Sequence, residues 1–567
     1  MYWDEPETLF TLPAADDTVG YMPRADGYVA DGGTAADSSI IYTVLLDGVP
    51  MLTTQKTHAT LSALQPATDY VVTVRCTCGE TSLAAATVTV TTRARRCRLD
   101  VTLPPYNAVG DGATLNTAAL QRAFDDCTDS DCVYLPRGVF LTGALRLHSG
   151  TELYLDNGAV LQGTARPADY LPYIPSRFEG IEQDCYQSLL NLGELNHASG
   201  YNCRDVLIYG TGTIASGGAE LAKAVIRSER VRLADYLQSL GDTINECEHK
   251  DTIPGRMRPR LINMSNCQNV RITGLTLANG ASWNVHFIYS DGVLTDHCTF
   301  KSEGVWNGDG WDPDSSTNCT IFACDFYTGD DSVAIKSGKN PQGNAINRPS
   351  EHIRVFDCRC TYGHGITIGS EISGGINDVR IWDCDMSASM QGIEIKATKK
   401  RGAYVRGVRV HNCKVSRVQI HAVGYNDDGV GAPVPPVFAD CCFRNVTVTG
   451  RMLDHERLWH DCAAIDIRGF DVAGYEARDI VLDGIVLEKP TAAWETQAIV
   501  ASGGSAADSG AAVGNSAVAD GGVQTLTLAC CAGVTLRNIS ARRPSVSAPT
   551  AGSKQDNSVN IEKKNGV

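Results

Sequence analysis

The chain has 567 residues, 43% hydrophobic and 20% charged, with 55 glycines and a formal net charge of −16. This composition excludes whole-chain disorder and collagen-like repetition, and a field of that sign repels nucleic acid and anionic lipid unless a local basic patch overcomes it. Single cores stop growing near roughly 250–300 residues, so a chain of this length divides into domains or builds an elongated repeat.

The opening stretch MYWDEPETLF carries acids and a proline where a secretory leader has a basic residue and then an apolar run, and no apolar stretch is long enough to span a bilayer. A cytoplasmic chain without a membrane partner is expected, unless a leader has been trimmed. Residues 1–98 read as a separate unit. Its alternating segments IIYTVLLDG and DYVVTVRCTC are separated by turn residues, and LSALQPATDYVVTV sets a tyrosine just after a proline-containing corner. The unit resembles a fibronectin type III β-sandwich, serving as a rigid spacer or lid. TTRARRCRLD then reads as a linker.

In NAVGDGATLNTAALQRAFDDC a glycine turn precedes Leu115, Ala119, Ala123 and Phe124 at helical spacing, which predicts an amphipathic helix covering the end of a stack of strands. Pairs of short strands then recur as NVRITGLTL, GVLTDHCTF, NCTIFACDF, HIRVFDCRC, DVRIWDCDM and GVRVHNCKV, starting at residues 269, 292, 318, 352, 378 and 407. Units of 23 to 34 residues with two or three brief β-runs fit an all-β fold, a right-handed parallel β-helix, over residues 99–545. The Gly/Ala/Ser-rich stretch 501–522 reads as a mobile loop, and 546–567 as a flexible tail. The 21 cysteines are odd in number and mostly flanked by apolar residues, so most read as small buried thiols. None is spaced for zinc.

Residues one coil apart stand above one another in such a fold. Asp309 and Asp330 are 21 residues apart, close to one short coil, so they are expected to stack, with Asp331 adding a third carboxylate. Glycines in NGDG and TGDD are expected to leave room for a ligand. Three acids this close cannot all ionise cheaply, so one holds a proton near neutral pH. Glycoside hydrolysis needs that division between a proton donor and water-activating carboxylates. Spacing alone leaves open a calcium site built on the oxygens of NGDGWDPD, or plain solvated turns.

The ordered motifs NGDG (307–310), GDD (329–331), GHG (363–365) and EIK (394–396) resemble the polygalacturonase family, glycoside hydrolase family 28, over approximately residues 100–540. The resemblance implies that Asp330 is the general acid and that Asp309 and Asp331 activate water, with inversion of configuration and no cofactor or metal. His364 orients an acid or the water. Asn307, Lys396 and Tyr425 fall among the substrate contacts, Lys396 holding a galacturonate carboxylate with a local positive field from KATKKR. Lys336 projects from the same region as a second carboxylate contact. The implied partner is a galacturonate-containing pectic oligosaccharide. Bacterial exo-acting members look similar, so removal of terminal galacturonate is the expected activity.

Where the family has arginine, this chain has Glu394, on the same strand face as Lys396. An acid there repels an anionic sugar and suits a neutral leaving group such as the rhamnose of rhamnogalacturonan. Two other classes compete: a calcium-dependent pectate lyase, and a non-catalytic carbohydrate-binding β-helix that would not need the acids. GHG and the Asp-Asp pair weigh against the lyase.

Overall fold

The recurring strand pairs stack in parallel, each coil hydrogen-bonded to the next, as a parallel β-helix. The computed structural model describes residues 1–4, 40–197, 200–425, 427–488 and 526–542. The stretch 501–522 and the tail 546–567 lie outside them. Strand residues alternate in and out, so one inward position recurs in every coil: Ile272, Thr295, Ile321, Val355, Ile381, Val410, Phe443 and Leu482 lie in register. Thr295, the polar member, accepts a hydrogen bond from Trp311 Nε1 at 3.0 Å.

The repeated cysteines belong to the coil corners. His297, Ala323, Asp357, Asp383 and Asn412 turn the chain at positive φ, and each is followed by a buried cysteine. The thiols of Cys298, Cys324, Cys358, Cys384 and Cys413 each donate to the carbonyl two residues back at 3.3 Å. A small, weakly donating side chain both fills the corner and satisfies its carbonyl. All 21 cysteines are free thiols.

Helix Thr117–Asp126 buries Leu120, Ala123 and Phe124 against the first coils. Leu115, assigned to this helix from its spacing, instead ends strand Asp111–Leu115 and is exposed. The β-helix starts at strand Cys97–Asp100, which pairs with Asp131–Leu135.

The preceding unit forms one antiparallel four-stranded sheet from Ile40–Leu46, Val49–Thr54, Asp69–Cys78 and Thr81–Thr91. Residues 5–39 lie outside the described ones, and a facing sheet is not among those described. The unit docks on an outward column of stacked rings. Phe322 and Phe356 stack at 4.9 Å, and Phe356 and Trp382 at 4.2 Å. Tyr2 and His58 lie against Phe322, Trp382 Nε1 donates to Thr57 Oγ1 at 2.9 Å, and Asp357 binds Lys56 at 2.6 Å and His58 at 2.7 Å.

Replacing fully buried Trp382 by alanine removes one ring of this stack and its bond to Thr57, and is expected to cost about 3–5 kcal/mol in a urea titration. Replacing Lys56, whose side chain is 57% exposed, should cost less than about 1 kcal/mol.

Candidate active site

A second parallel sheet forms the floor of the site from strands Val285–Ile288, Trp311–Asp314, Val333–Ile335, Gly365–Ile368, Gly392–Ala397, Val418–Ala422 and Ile465–Arg468. Its inward positions are apolar and its outward ones mostly polar. His286 stands opposite Asp312, Thr367 opposite Glu394, Glu394 opposite Gln419, and Lys396 opposite His421. The acids sit at the turns entering these strands. Trp311 pairs with Val333, and the same offset sets Asp309 opposite Asp331, with Asp330 one residue earlier. This corrects the expected stacking of Asp309 on Asp330 by one position.

The flanking glycines have another task than making room for a ligand. A Cβ at Gly329 would strike the Val305 and Ser302 carbonyls of the preceding coil, and one at Gly310 would strike Ser332 O and the Phe326 ring of the next. They let neighbouring coils close upon one another.

The expected residues do gather. His364 Nδ1 lies 2.9 Å from Asp330 Oδ1 and 3.3 Å from Asp331 Oδ1. Thr367 Oγ1 donates to Asp331 Oδ1 at 2.7 Å, and Asn307 Nδ2 to Asp330 Oδ2 at 3.4 Å. Lys396 Nζ is 3.7 Å from Asp331 and 2.9 Å from Glu394, and faces the Tyr425 ring at 5.9 Å. Glu394 also meets His421 Nε2 at 2.7 Å. Lys336 is only 4% exposed and is engaged by Asp309 at 3.4 Å, Glu371 at 3.6 Å and the Trp283 ring at 4.7 Å. It is thus surrounded by the protein's own acids, a different task from the expected contact with substrate.

Burial opposes ionisation throughout, and the neighbours decide each outcome. At Asp330 burial is outweighed by the His364 charge and hydrogen bond, and the carboxyl falls below its ordinary range. At Asp331, Lys396 and His364 outweigh burial in the same direction. His364 itself rises well above 6.5, since Asp330 and Asp331 overcome its burial. Asp309 and Asp312 rise well above the carboxylate range through burial, to which Asp312 adds for Asp309 and Asp331 for Asp312, with Lys336 opposing. Glu394 is lowered to about 2, Lys396 and His421 outweighing its burial. Burial and the neighbouring carboxyl thus favour the protonated form within the Asp309/Asp312 pair. Asp330, the general acid that the resemblance implies, is by contrast held toward its ionised form by the His364 imidazole beside it.

Two segments cross the floor. The hairpin Ile174–Phe178/Ile181–Cys185 stacks Phe178 on Trp283 at 4.4 Å, ahead of the floor strands. At the far end of the floor, Arg177 binds Asp314, the last residue of its strand, at 2.7 Å, and past the strands Gly180 O accepts from Lys339 N at 2.9 Å. The helical segment 218–255 and the residues after it do likewise. Arg258 donates to Trp306 O and to Asn307 Oδ1, both at 2.7 Å, on the near side. Arg256 reaches Glu179 at 2.8 Å and, on the far side, Asp428 through two bonds of 2.9 and 3.0 Å. Lys339 also binds Asp428. Lys400 binds Asp427 O at 2.6 Å, and Arg401 binds Asn340 at 2.6 Å. These two cations of KATKKR thus staple the wall, where the sequence suggested a field for the substrate.

Among the described residues, Asp330, Asp331 and His364 are the group whose ligand atoms converge enough for a metal. Two carboxylates and an imidazole fall short of the six to eight oxygens calcium takes, and Lys396 already supplies positive charge to Asp331. Asp312, Thr367, His421, Glu371, Trp283 and Arg258 were not singled out from the sequence. Alternation along the strand after its motif would have found Thr367.

A family model, Glycosyl hydrolases family 28, matches residues 193–451. An exo-poly-α-D-galacturonosidase of Dickeya chrysanthemi is 30% identical over 429 residues, 69% of each chain. An endo-polygalacturonase of Pectobacterium parmentieri is 30% identical over 341 residues, 58% of this chain and 77% of the relative. The fold matches a family 28 exopolygalacturonase of Yersinia enterocolitica with TM-score 0.68 at 20% identity, covering 91% of this chain and 96% of that one. An exopolygalacturonase of Thermotoga maritima matches with TM-score 0.56 at 25% identity, over 69% and 87%. The chain belongs to glycosyl hydrolases family 28. Within it, the protein is a glycoside hydrolase of the polygalacturonase type.

Asp428→Ala leaves the buried cations Arg256 and Lys339 without their shared acid, and is expected to cost about 3–5 kcal/mol. Hydrogen exchange should quicken over residues 241–256 and stay slow in the floor strands.

Proposed function

We propose that the enzyme removes single terminal α-linked galacturonic acid residues from pectic oligosaccharides, with inversion at the anomeric carbon. The observation that carries the exo reading is the double crossing of the floor: the hairpin and the helical segment are pinned on both sides, by Trp283 and Trp306 on one and Asp314, Lys339 and Asp428 on the other. A floor roofed at one end takes a chain terminus and excludes a long polymer from passing through. The exo-acting Dickeya relative agrees with this reading.

In this reading Asp330 and His364 act as one proton-donating dyad. His364 holds the proton at rest, and Asp330, the more exposed member, passes it to the leaving oxygen as the bond lengthens. Asp309 and Asp331 hold the water and take its proton, and Thr367 and Lys396 fix Asp331. Tyr425 and Asn307 border the sugar. Lys396, 10% exposed and shared between Glu394 and Asp331, offers a weakened field to a carboxylate.

That last pairing favours a second reading, in which the leaving-group sugar is neutral. Glu394 is clasped by Lys396 and His421, so the position held by arginine elsewhere in the family presents an acid and a histidine, suited to hydroxyl groups. Comparing galacturonate linked to galacturonate with galacturonate linked to rhamnose decides it: strong preference for the former sinks the neutral-sugar reading.

Asp330→Asn should lower kcat by about 10²–10⁴ while oligosaccharide binding persists. The dyad's proton is present below the raised histidine pKa and lost as pH rises through it. In His364→Asn the proton rests on a carboxyl alone, so the alkaline limb of kcat/KM should move to lower pH. Early digests of a galacturonan should contain monomer, and mixed oligomers would overturn the exo reading.

A further inference from the structure

Asp312 is fully buried, and neither of its carboxylate oxygens has a hydrogen-bond donor; Oδ1 of Asp309 is likewise without one. The hydrogen-bonding neighbour of Asp312 is the carboxyl group of Asp309. Two carboxylates cannot bond to each other unless one carries a proton, and two unshielded charges in contact and out of water are far costlier than one. The other charged groups facing Asp312 are Lys336, Asp331 and Asp330. His286, opposite in the preceding coil, is neutral, since burial brings its pKa down to about 4. Lys336 leans to Asp309, at 3.4 Å from Oδ2. That nearer cation favours charge on Asp309 and, against the mutual bond, which by itself favours charge on Asp312, leaves the proton to Asp312.

We propose that Asp312 is a positioning residue that stays protonated at neutral pH and donates a hydrogen bond to Asp309, holding Asp309 ionised and aimed at the attacking water. The inference rests on the reading of Asp309 as a water-side base. In each turnover the water's O–H bond breaks as its oxygen bonds to the anomeric carbon, and its proton passes to a water-side carboxylate. The leaving oxygen takes the proton of the Asp330/His364 dyad. Solvent then removes the first proton and restores the second, so the proton on Asp312 is neither consumed nor released. Lys336 is the counter-ion that makes this distribution stable, and Glu371 at 3.6 Å keeps it in place.

The test has two arms. In the resting enzyme at neutral pH, infrared difference spectra should show a protonated carboxylic acid C=O band that is absent in Asp312→Asn and retained in Asp330→Asn. Absence of that difference band overturns the proposal whatever the activity. In kinetics on a galacturonate dimer, Asp312→Ala should lose about 100-fold in kcat with KM little changed, and Asp312→Asn, which keeps a donor toward Asp309, should recover about tenfold or more of that loss. Equal losses in the two variants, or none in either, also overturn it. Thermal melting of both variants shows whether loss of fold accounts for a rate. Asp309→Ala is measured alongside: if that variant remains fully active, the base assignment has failed, and if it is inactive while Asp312 proves silent, only the present proposal has.

Discussion

Parallel coils must keep register, because each backbone N–H and C=O finds its partner in the next coil at about 4.8 Å. Everything that distinguishes this molecule follows from that constraint. Extra residues cannot widen a coil, so they leave it at a turn, as the hairpin 174–185 and the helical segment 218–255 do. Side chains one coil apart must stand over each other, so turns far apart in sequence deliver Asp309, Asp331, His364 and Lys396 to one place. A column of stacked carboxylates then becomes a set of linked titrations, in which each group's protonation is set by the coil above and the coil below.

The cleft is thus an acidic site with captive cations. Lys336 and Lys396 are each held by two carboxylates, and Arg256 by Glu179 and Asp428. Such pairs repay the cost of burying charge through geometry, and they fix direction more than they add stability. A substrate carboxylate entering here competes with the protein's own acids, and discrimination between acidic and neutral sugars becomes a contest among those pairs.

Much of this was readable from the chain alone. The alternating strands and their spacing announced the β-helix, and four ordered motifs located Asp309, Asp330, Asp331, His364 and Lys396. Asp312 was hidden because Pro313 follows it, and proline within a run argues against a strand interior. Here the proline carbonyl accepts from Lys336 N at 2.8 Å, and the strand persists. The crossings over the floor were not legible, since Arg256 meets partners 77 and 172 positions away. Flanking glycines misled in a different way: their value lies in carbonyls of adjacent coils that a methyl would strike, which no local pattern encodes.

The N-terminal unit lies against Phe322, Phe356 and Trp382 through Tyr2, Thr57 and His58, and those rings belong to the same successive coils that carry Asp330, His364 and Lys396. It acts as a splint bound across three neighbouring laminae. A solenoid otherwise peels from its ends, each layer lost as its neighbour goes; one clamped at mid-length comes apart at its extremities first, and the layers that perform the chemistry are the last to separate.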